Sequence, residues 1–171
     1  AETVINSTAN ESVFIDDLGV GGAVLFDSLM VDDSGGAGIS VTRNGGDITF
    51  NGAVGILSPA AGVTAPFVTI MNSTATGSVA FTRNLGITGD ATSVGGTGIE
   101  LTGNASNSTF SAVGTTITGV GGQGINIFAD GSNVNFTSVG LTDVLSIFNA
   151  DKEGLRIFGN SGLIVFNNSA T

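Results

Sequence analysis

Acidic residues are the side chains of this sequence best suited to chemistry, and the densest of them form two adjacent pairs. Asp16 and Asp17 make the first pair, and Asp32 and Asp33 make the second. Carboxylate oxygens on a loop are ligands that Ca²⁺ prefers, so these four residues are candidate calcium ligands. The alternative is that they are solvated loop residues or turn formers. No other cofactor is expected.

Two glycine-rich stretches, Gly95–Gly103 and Gly121–Ala129, resemble the calcium-binding nonapeptide pattern GGxGxDxUx. That pattern needs Asp carboxylates from consecutive nine-residue turns. Here the Asp position holds Glu100 and Asn126, and the two stretches are not consecutive. We therefore interpret both as glycine turns that precede strands.

The composition excludes several classes of function. The 171 residues include no Cys, His, Trp or Tyr, which removes disulfides, thiolate metal sites and His-based catalysis. The net charge of −10 would repel nucleic acid, so we expect no nucleic-acid partner. No apolar run approaches the roughly 20 residues of a membrane span, so membrane insertion is not expected. No export leader opens the sequence, and we expect any such signal to have been removed or to lie outside it.

Strand–turn–strand units recur along the chain and would position any functional residues. The unit is clearest in Gly121–Phe136, where Ile125 and Ile127 alternate with a polar residue and a turn at Asp130 leads to a second alternating strand. Alternation with a period of two is the pattern of a β-strand. A fixed unit repeated in tandem is typical of solenoid proteins.

Five such units align, and their inward residues are predicted to stack as a core column. The first strands contribute Val41, Ile70, Leu101, Ile127 and Ile157, and the second strands contribute Phe50, Phe81, Phe110, Phe136 and Phe166. The two positions are nine residues apart in four units and eleven in one, and successive Phe residues are 31, 29, 26 and 30 apart. Phe14, Phe26, Phe128 and Phe158 do not fit this column, and we expect Phe128 and Phe158, which are equivalent, to stack on each other.

A polar residue follows each first strand at the same distance. This turn position holds Asn44, Ser73, Asn104, Asp130 and Asn160. Asn and Asp tolerate the left-handed conformation and bond to nearby backbone, so we expect a turn ladder of stacked side chains.

Each unit is predicted to continue into a third short strand. The candidates are Gly55–Leu57, Gly86–Thr88, Thr116–Thr118 and Gly140–Thr142. At the start of the chain, Thr3–Ile15 aligns with Thr69–Phe81, and Leu18–Val20 with Leu85–Ile87. That alignment leaves 21–36, and Gly21–Asp33 in particular, as an insertion or an extra strand pair; 58–66 and 145–152 are further irregular segments.

These patterns predict an all-β chain, a single domain over 1–171 without true caps. The favoured fold is a right-handed parallel β-helix of about six three-strand coils, with about 30 residues in each. The alternative is an antiparallel β-sandwich of short strands. The near-constant spacing and the aligned turn column favour the helix.

An enzyme on such a solenoid would need paired carboxylates, or a carboxylate with a basic residue, on adjacent coils. The outward first-strand positions hold Ser40, Thr69, Glu100, Asn126 and Arg156. No two adjacent coils there pair two carboxylates, or a carboxylate with a basic residue, and Glu100 lies two coils from Arg156. We therefore do not expect an enzyme.

The stretch NGGDITFNGAVG (Asn44–Gly55) and the repeated GIxV-turn-xIxF units resemble bacterial β-solenoid surface proteins. These include filamentous-haemagglutinin-like exoproteins, autotransporter passengers and repeat adhesins. The resemblance implies export to the cell surface or the extracellular space and a stalk, adhesin or fibre role. A subunit with open solenoid ends is expected to self-associate head to tail. The alternative is a calcium- or glycan-binding module that uses loops 21–33 and 58–66, with a glycan or host surface as its partner.

Overall fold

The computed structural model describes residues 3–8, 10–57, 63–74, 76–89, 96–139 and 144–169. All regular elements in these ranges are β-strands, and no helix there is long and apolar enough to cross a membrane. In chain order they are β1 (Thr3–Thr8), β2 (Val13–Asp16), β3 (Ala23–Phe26), β4 (Leu29–Ser34), β5 (Ile39–Thr42), β6 (Asp47–Phe50), β7 (Val54–Leu57), β8 (Val68–Met71), β9 (Ser78–Thr88), β10 (Ile99–Thr102), β11 (Thr109–Thr118), β12 (Ile125–Phe128), β13 (Asn133–Val139), β14 (Leu145–Phe148), β15 (Leu155–Phe158) and β16 (Ile164–Ser169).

The strands stack in three columns, and each strand pairs in parallel with the equivalent strand of the next coil. The first-strand column is β2-β5-β8-β10-β12-β15. The second is β3-β6-β9-β11-β13-β16, and the third is β1-β4-β7-β9-β11-β14, because β9 and β11 each run through both columns. The predicted parallel β-solenoid is confirmed over the antiparallel sandwich. The described chain forms five complete turns, with β1 before them and β15 and β16 after them, rather than about six coils.

The first-strand column places like residues on like residues. Register pairs Val41 with Ile70, Ile70 with Leu101 and Leu101 with Ile127, and all four side chains are buried. Ile157 continues the column but is 47% exposed, because no described coil covers its outer side. The branched side chains suit a pleated, tightly packed surface.

The N-terminal alignment made from sequence is wrong by one strand. β1 pairs with β4 as a third strand, and β2 pairs with β5, so Ile15 lies beside Val41 in the first-strand column. The segment 21–36 is therefore no insertion, since it carries β3 and β4, the second and third strands of the first complete turn. Leu18–Val20 lies in the turn between β2 and β3 and is not a third strand.

The segment 145–152 is also more regular than predicted. Its first half is β14, which pairs with the end of β11 and is the third strand of its coil. The earlier candidate for that strand, 140–142, lies outside the described residues, as do 58–62 of the predicted loop 58–66. The other three third-strand candidates lie in β7, β9 and β11 as expected.

The second-strand column differs from prediction at Phe110. Phe110 pairs with Val79 on one side and Val134 on the other, and Ala112 lies in register with the flanking phenylalanines. The turn before β11 is two residues longer than assumed, and its Ser108 N–H bonds to the Ala105 carbonyl. A shift of two residues keeps inward side chains inward, so the error leaves no mark in the hydrophobic pattern.

Ring geometry reflects this exchange of positions. Phe26, which the sequence left unassigned, heads the column and stacks on Phe50 at 4.9 Å, and Phe50 stacks on Phe81 at 4.5 Å. Phe110 instead meets its two neighbours tilted, by 55° and 57°. The coil thus carries large-then-small side chains where its neighbours carry small-then-large, and the core volume is kept.

The exchanged order of the large and small side chains in β11 can be tested by reversing it. Ala112→Phe alone should overpack the core and lower the free energy of unfolding by about 1–3 kcal/mol. The double variant Phe110→Val/Ala112→Phe adopts the arrangement of the flanking coils and should recover most of that loss. Urea unfolding at equilibrium measures both. A double variant that is less stable than Ala112→Phe would contradict the register.

A polar side chain interrupts the third-strand column. Thr115 is fully buried, and its hydroxyl has no hydrogen-bond partner among the residues that the structure describes. In the other four complete turns the register equivalents are Leu29, Val54, Leu85 and Leu145, and β1 carries Thr3 at this position. A buried hydroxyl without a partner destabilises the fold.

Thr115→Val should therefore raise the free energy of unfolding by about 1–2 kcal/mol, because it keeps the shape and removes the unpaired hydroxyl. The matched control is Thr116→Val on the exposed neighbour, for which we expect little change. Thermal and urea unfolding would decide. A loss of stability in Thr115→Val would show that the hydroxyl is bonded.

Candidate functional site

The predicted turn column lies at the corner between first and second strands, and its side chains link successive coils. The Asn104 Oδ1 accepts a bond from the Ser73 N–H at 2.8 Å, and the Asn104 Nδ2 donates to the Ile70 carbonyl at 3.0 Å. The Asp130 Oδ1 accepts from the Asn104 N–H at 3.1 Å. The ladder thus runs from side chain to backbone of the adjacent coil, and it provides partners for buried backbone groups of the corner.

At the two ends of the column, Asn44 and Asn160 also form hydrogen bonds within their own coils. Asn44 exchanges bonds with Gly46, whose N–H donates to the Asn44 Oδ1 at 3.1 Å, and the Asn44 Nδ2 also donates to the Ser78 carbonyl at 3.2 Å. Asn160 donates to the Gly162 carbonyl at 2.7 Å, and no described group bonds to its Oδ1.

The left-handed residue of each corner is the one before the column, not the column residue itself. Arg43, Asn72 and Ala129 have φ of 50°, 54° and 47°. Gly131, which follows the column residue Asp130, is needed for close packing. A Cβ there would lie 2.7 Å from the Asn104 carbonyl oxygen, so the corners approach too closely for a side chain.

The glycines of the two calcium-like stretches also serve packing. A Cβ on Gly98 would lie 2.8 Å from Ile117, and one on Gly124 would lie 2.6 Å from Ile147. These glycines let the corner between third and first strands close onto the core. They precede strands, as the sequence predicts.

The outward row of the first strands holds one carboxylate between neutral neighbours. Glu100 pairs in register with Thr69 on one side and Asn126 on the other, and the Asn126 Nδ2 donates to the Glu100 Oε2 at 3.2 Å. Arg156 lies one coil beyond Asn126. This row therefore offers no pair of carboxylates for general acid–base work.

A second polar row, which sequence reasoning missed, crosses the corner before the first strands. Thr97 donates to the Gln123 amide oxygen at 3.3 Å, and the Gln123 Nε2 donates to the Glu153 Oε2 at 3.2 Å. The Glu153 backbone N–H and the Gln123 amide hold the pKa of Glu153 below its ordinary value. The 26- and 30-residue separations are the only sequence signal for this row.

The four candidate calcium ligands lie at two places in the fold, the end of β2 and the strand β4. Asp16 accepts bonds from the Thr42 hydroxyl and the Arg43 guanidinium, and these lower the pKa of Asp16. Asp32 lies on β4, in a different column from Asp16, and the side chain of Asp33 lies outside the described part of the chain. Asp17 is the left-handed residue after β2. A guanidinium beside Asp16 opposes a second cation there, and among described residues no group of three or more His, Cys, Asp or Glu is placed to hold a metal. Calcium binding stays a prediction.

Comparison with protein-family models, with curated proteins and with solved structures finds no match.

The expected stack of Phe128 on Phe158 lies on the outer face. The rings are 5.6 Å apart and nearly parallel, both are exposed, and the Arg156 guanidinium lies 6.0 Å from the Phe158 centroid. An exposed aromatic pair beside a guanidinium can stack on the flat face of another group.

A shallow groove of about 390 Å³ lies on the second-strand column near the C-terminal end. Its outward walls are Thr109, Ser111, Asn133, Asn135, Leu163 and Val165. Amide and hydroxyl groups line the interior coils, and aliphatic side chains line the last coil. The outer surface thus changes from polar to aliphatic at this groove.

The turn column makes a paired prediction. Asn104→Ala should lower the free energy of unfolding by about 1–3 kcal/mol or more, because the Ser73 N–H and the Ile70 carbonyl lose their partners. Ser73→Ala should cost little or stabilise, because the buried Ser73 hydroxyl has no partner within the described ranges. Urea unfolding of the two variants is the measurement. Equal losses in both would contradict the ladder.

Proposed function

We propose that this chain is a structural module of an extracellular bacterial surface protein. In this proposal the solenoid is a stiff rod that serves as a stalk segment or a fibre subunit and carries adhesive surfaces, and it has no catalytic role. The observation that supports it best is the unbroken series of ring contacts from Phe26 to Phe166, which are stacked at both ends of the column and tilted at Phe110.

Stiffness follows from that continuity. Each coil is joined to the next by parallel pairing in three columns, and its core side chains pack on those above and below. Bending such a rod would have to separate packed side chains and break hydrogen bonds along one side at the same time. Stability is then a sum over neighbouring coils, so a length of rod can be extended without a new core design.

The outer surface supports the same role. Most outward positions of the interior coils hold Ser, Thr, Asn or Gly, with scattered charges and a few apolar side chains such as Met71, Ala80 and Phe128, which suits a rod with largely polar sides. The net charge of −10 keeps such a strand-rich surface soluble. The resemblance to filamentous-haemagglutinin-like and autotransporter-passenger proteins adds the cell-surface location.

A spacer should tolerate loss of one whole coil. Glu100 pairs with Asn126, so deletion of residues 100–125 joins Ile99 to Asn126 and restores the alternation, and it brings Phe81 into register with Phe136. The matched control deletes 100–124, which joins Ile99 to Ile125 and turns the following side chains to the wrong face.

Both deletions and the parent chain would be expressed in the encoding organism, and intact cells would be labelled with an antibody against the chain. We expect surface label for the parent and for the 100–125 deletion, and none for the 100–124 deletion. Label that appears only after the cells are permeabilised would overturn the proposed location. Failure of the 100–125 deletion to fold would overturn the modular rod.

A further inference from the structure

In the last described layer of the solenoid, no described strand covers the outer side of the core side chains. Leu155, Ile157 and Phe166 face inward but are 38%, 47% and 44% exposed, whereas the equivalent Ile127 and Phe136 are fully buried. At the other end Ile15, Val24 and Phe26 face inward and are only partly buried. Each end thus presents an apolar surface with the pattern of the interior.

Outward side chains change character at these same two ends. On the second-strand column the end positions are Ala23 and Leu25 at one end and Leu163 and Val165 at the other, and Leu25 is 65% exposed. The interior positions of the same two rows are Asp47, Thr49, Ser78, Ala80, Thr109, Ser111, Asn133 and Asn135. Three large aliphatic side chains, Leu25, Leu163 and Val165, therefore mark the ends of two rows that are otherwise small or polar.

The two ends also complement each other in strand layers. One end layer holds β1, a third strand without first and second strands, and the other holds β15 and β16, a first and a second strand, among the described residues. Each column contains six strands. One layer from each end together makes a complete coil.

We infer that the end formed by β14, β15 and β16 binds the opposite end of a second copy of this chain. β15 pairs in parallel with β2 of the next copy, β16 with β3, and β14 with β1. The interior register sets Ile157 beside Ile15, Phe166 beside Phe26 and Val165 beside Leu25. This inference rests on the proposed rod function, and it identifies a second copy of the chain as the partner of the rod.

The turns at this junction already have a precedent inside the chain. The β15–β16 unit has the nine-residue spacing from Ile157 to Phe166, and the β2–β3 unit has the eleven-residue spacing from Ile15 to Phe26. The same step from nine to eleven occurs where β5 and β6 meet β8 and β9. There the Thr74 N–H donates to the Asn44 carbonyl at 2.8 Å.

The side chains at the junction are compatible in chemistry. Phe166 would extend the ring column onto Phe26. On the outer face Arg156 would lie beside the exposed Phe14, so a guanidinium meets a ring. Val165 and Leu25 would cover each other in place of water.

The absence of native cysteine allows a direct test of register. Parallel neighbours are about 4.8 Å apart, which lies within the Cα separation that a disulfide spans. The variant Leu25→Cys/Val165→Cys, oxidised with oxidised glutathione, should form a ladder of linked dimers, trimers and longer species. The control Leu25→Cys/Asn135→Cys, with its second thiol in the same row of an interior coil, should form at least tenfold less.

Association without cross-linking is measured by sedimentation over a concentration series and by electron microscopy. We expect filaments with an axial repeat near six strand spacings, about 29 Å. Val165→Lys should abolish them, and Asn135→Lys should not. Val165→Glu and Leu25→Lys should each block assembly alone and restore it when mixed.

Two results would overturn the inference. A folded chain that stays monomeric at every concentration would reject stacking, and linked dimers from Val165→Cys alone would show that like ends meet. Neither result would affect the proposed rod, because the coil-deletion test does not depend on the ends.

Discussion

In-register stacking of like side chains is the constraint on which the rest of this structure depends. A short strand of four residues buries only two side chains on one face, which is too little to hold it in place alone. Parallel pairing places those two on the same two of the adjacent coil, and the sum over three columns makes one continuous core. Every corner must then return the chain to the same register one strand spacing further along the axis.

The corners meet that demand with two turn lengths and no intermediate one. The spacing from the first-strand column to the second is nine or eleven residues, and a ten-residue spacing would turn the second strand inside out. The sequence therefore predicted the strands, their faces and the solenoid. It misplaced Phe110 because a two-residue slip leaves the alternation unchanged, and only the pairing with Val79 and Val134 reveals it.

The N-terminal coil shows a second limit of the pattern. All three strand types have an inward-outward-inward pattern of Val, Ile, Leu or Phe, so a local match cannot say which column a strand joins. Thr3–Ile15 resembles Thr69–Phe81 in composition, yet β1 is a third strand and β2 a first strand. The turn column was recognisable because its residue types are distinctive, but the identity of the left-handed residue was not. Arg43 and Ala129 hold that conformation because the surrounding ladder imposes it, against their own preference.

The same constraint makes the surface of the interior coils differ from that of the end layers. An interior coil has its core covered on both sides, so its outward rows are free to be polar, as Asn133 and Asn135 are. An end coil has one side uncovered, and there the inward residues stay apolar while aliphatic residues such as Leu25 and Val165 also occupy the outward row. Terminal repeats of solenoids commonly carry polar outer faces that keep them from associating. An end layer that keeps the interior pattern, and adds apolar side chains around it, has instead the surface that one more coil of the same kind would cover.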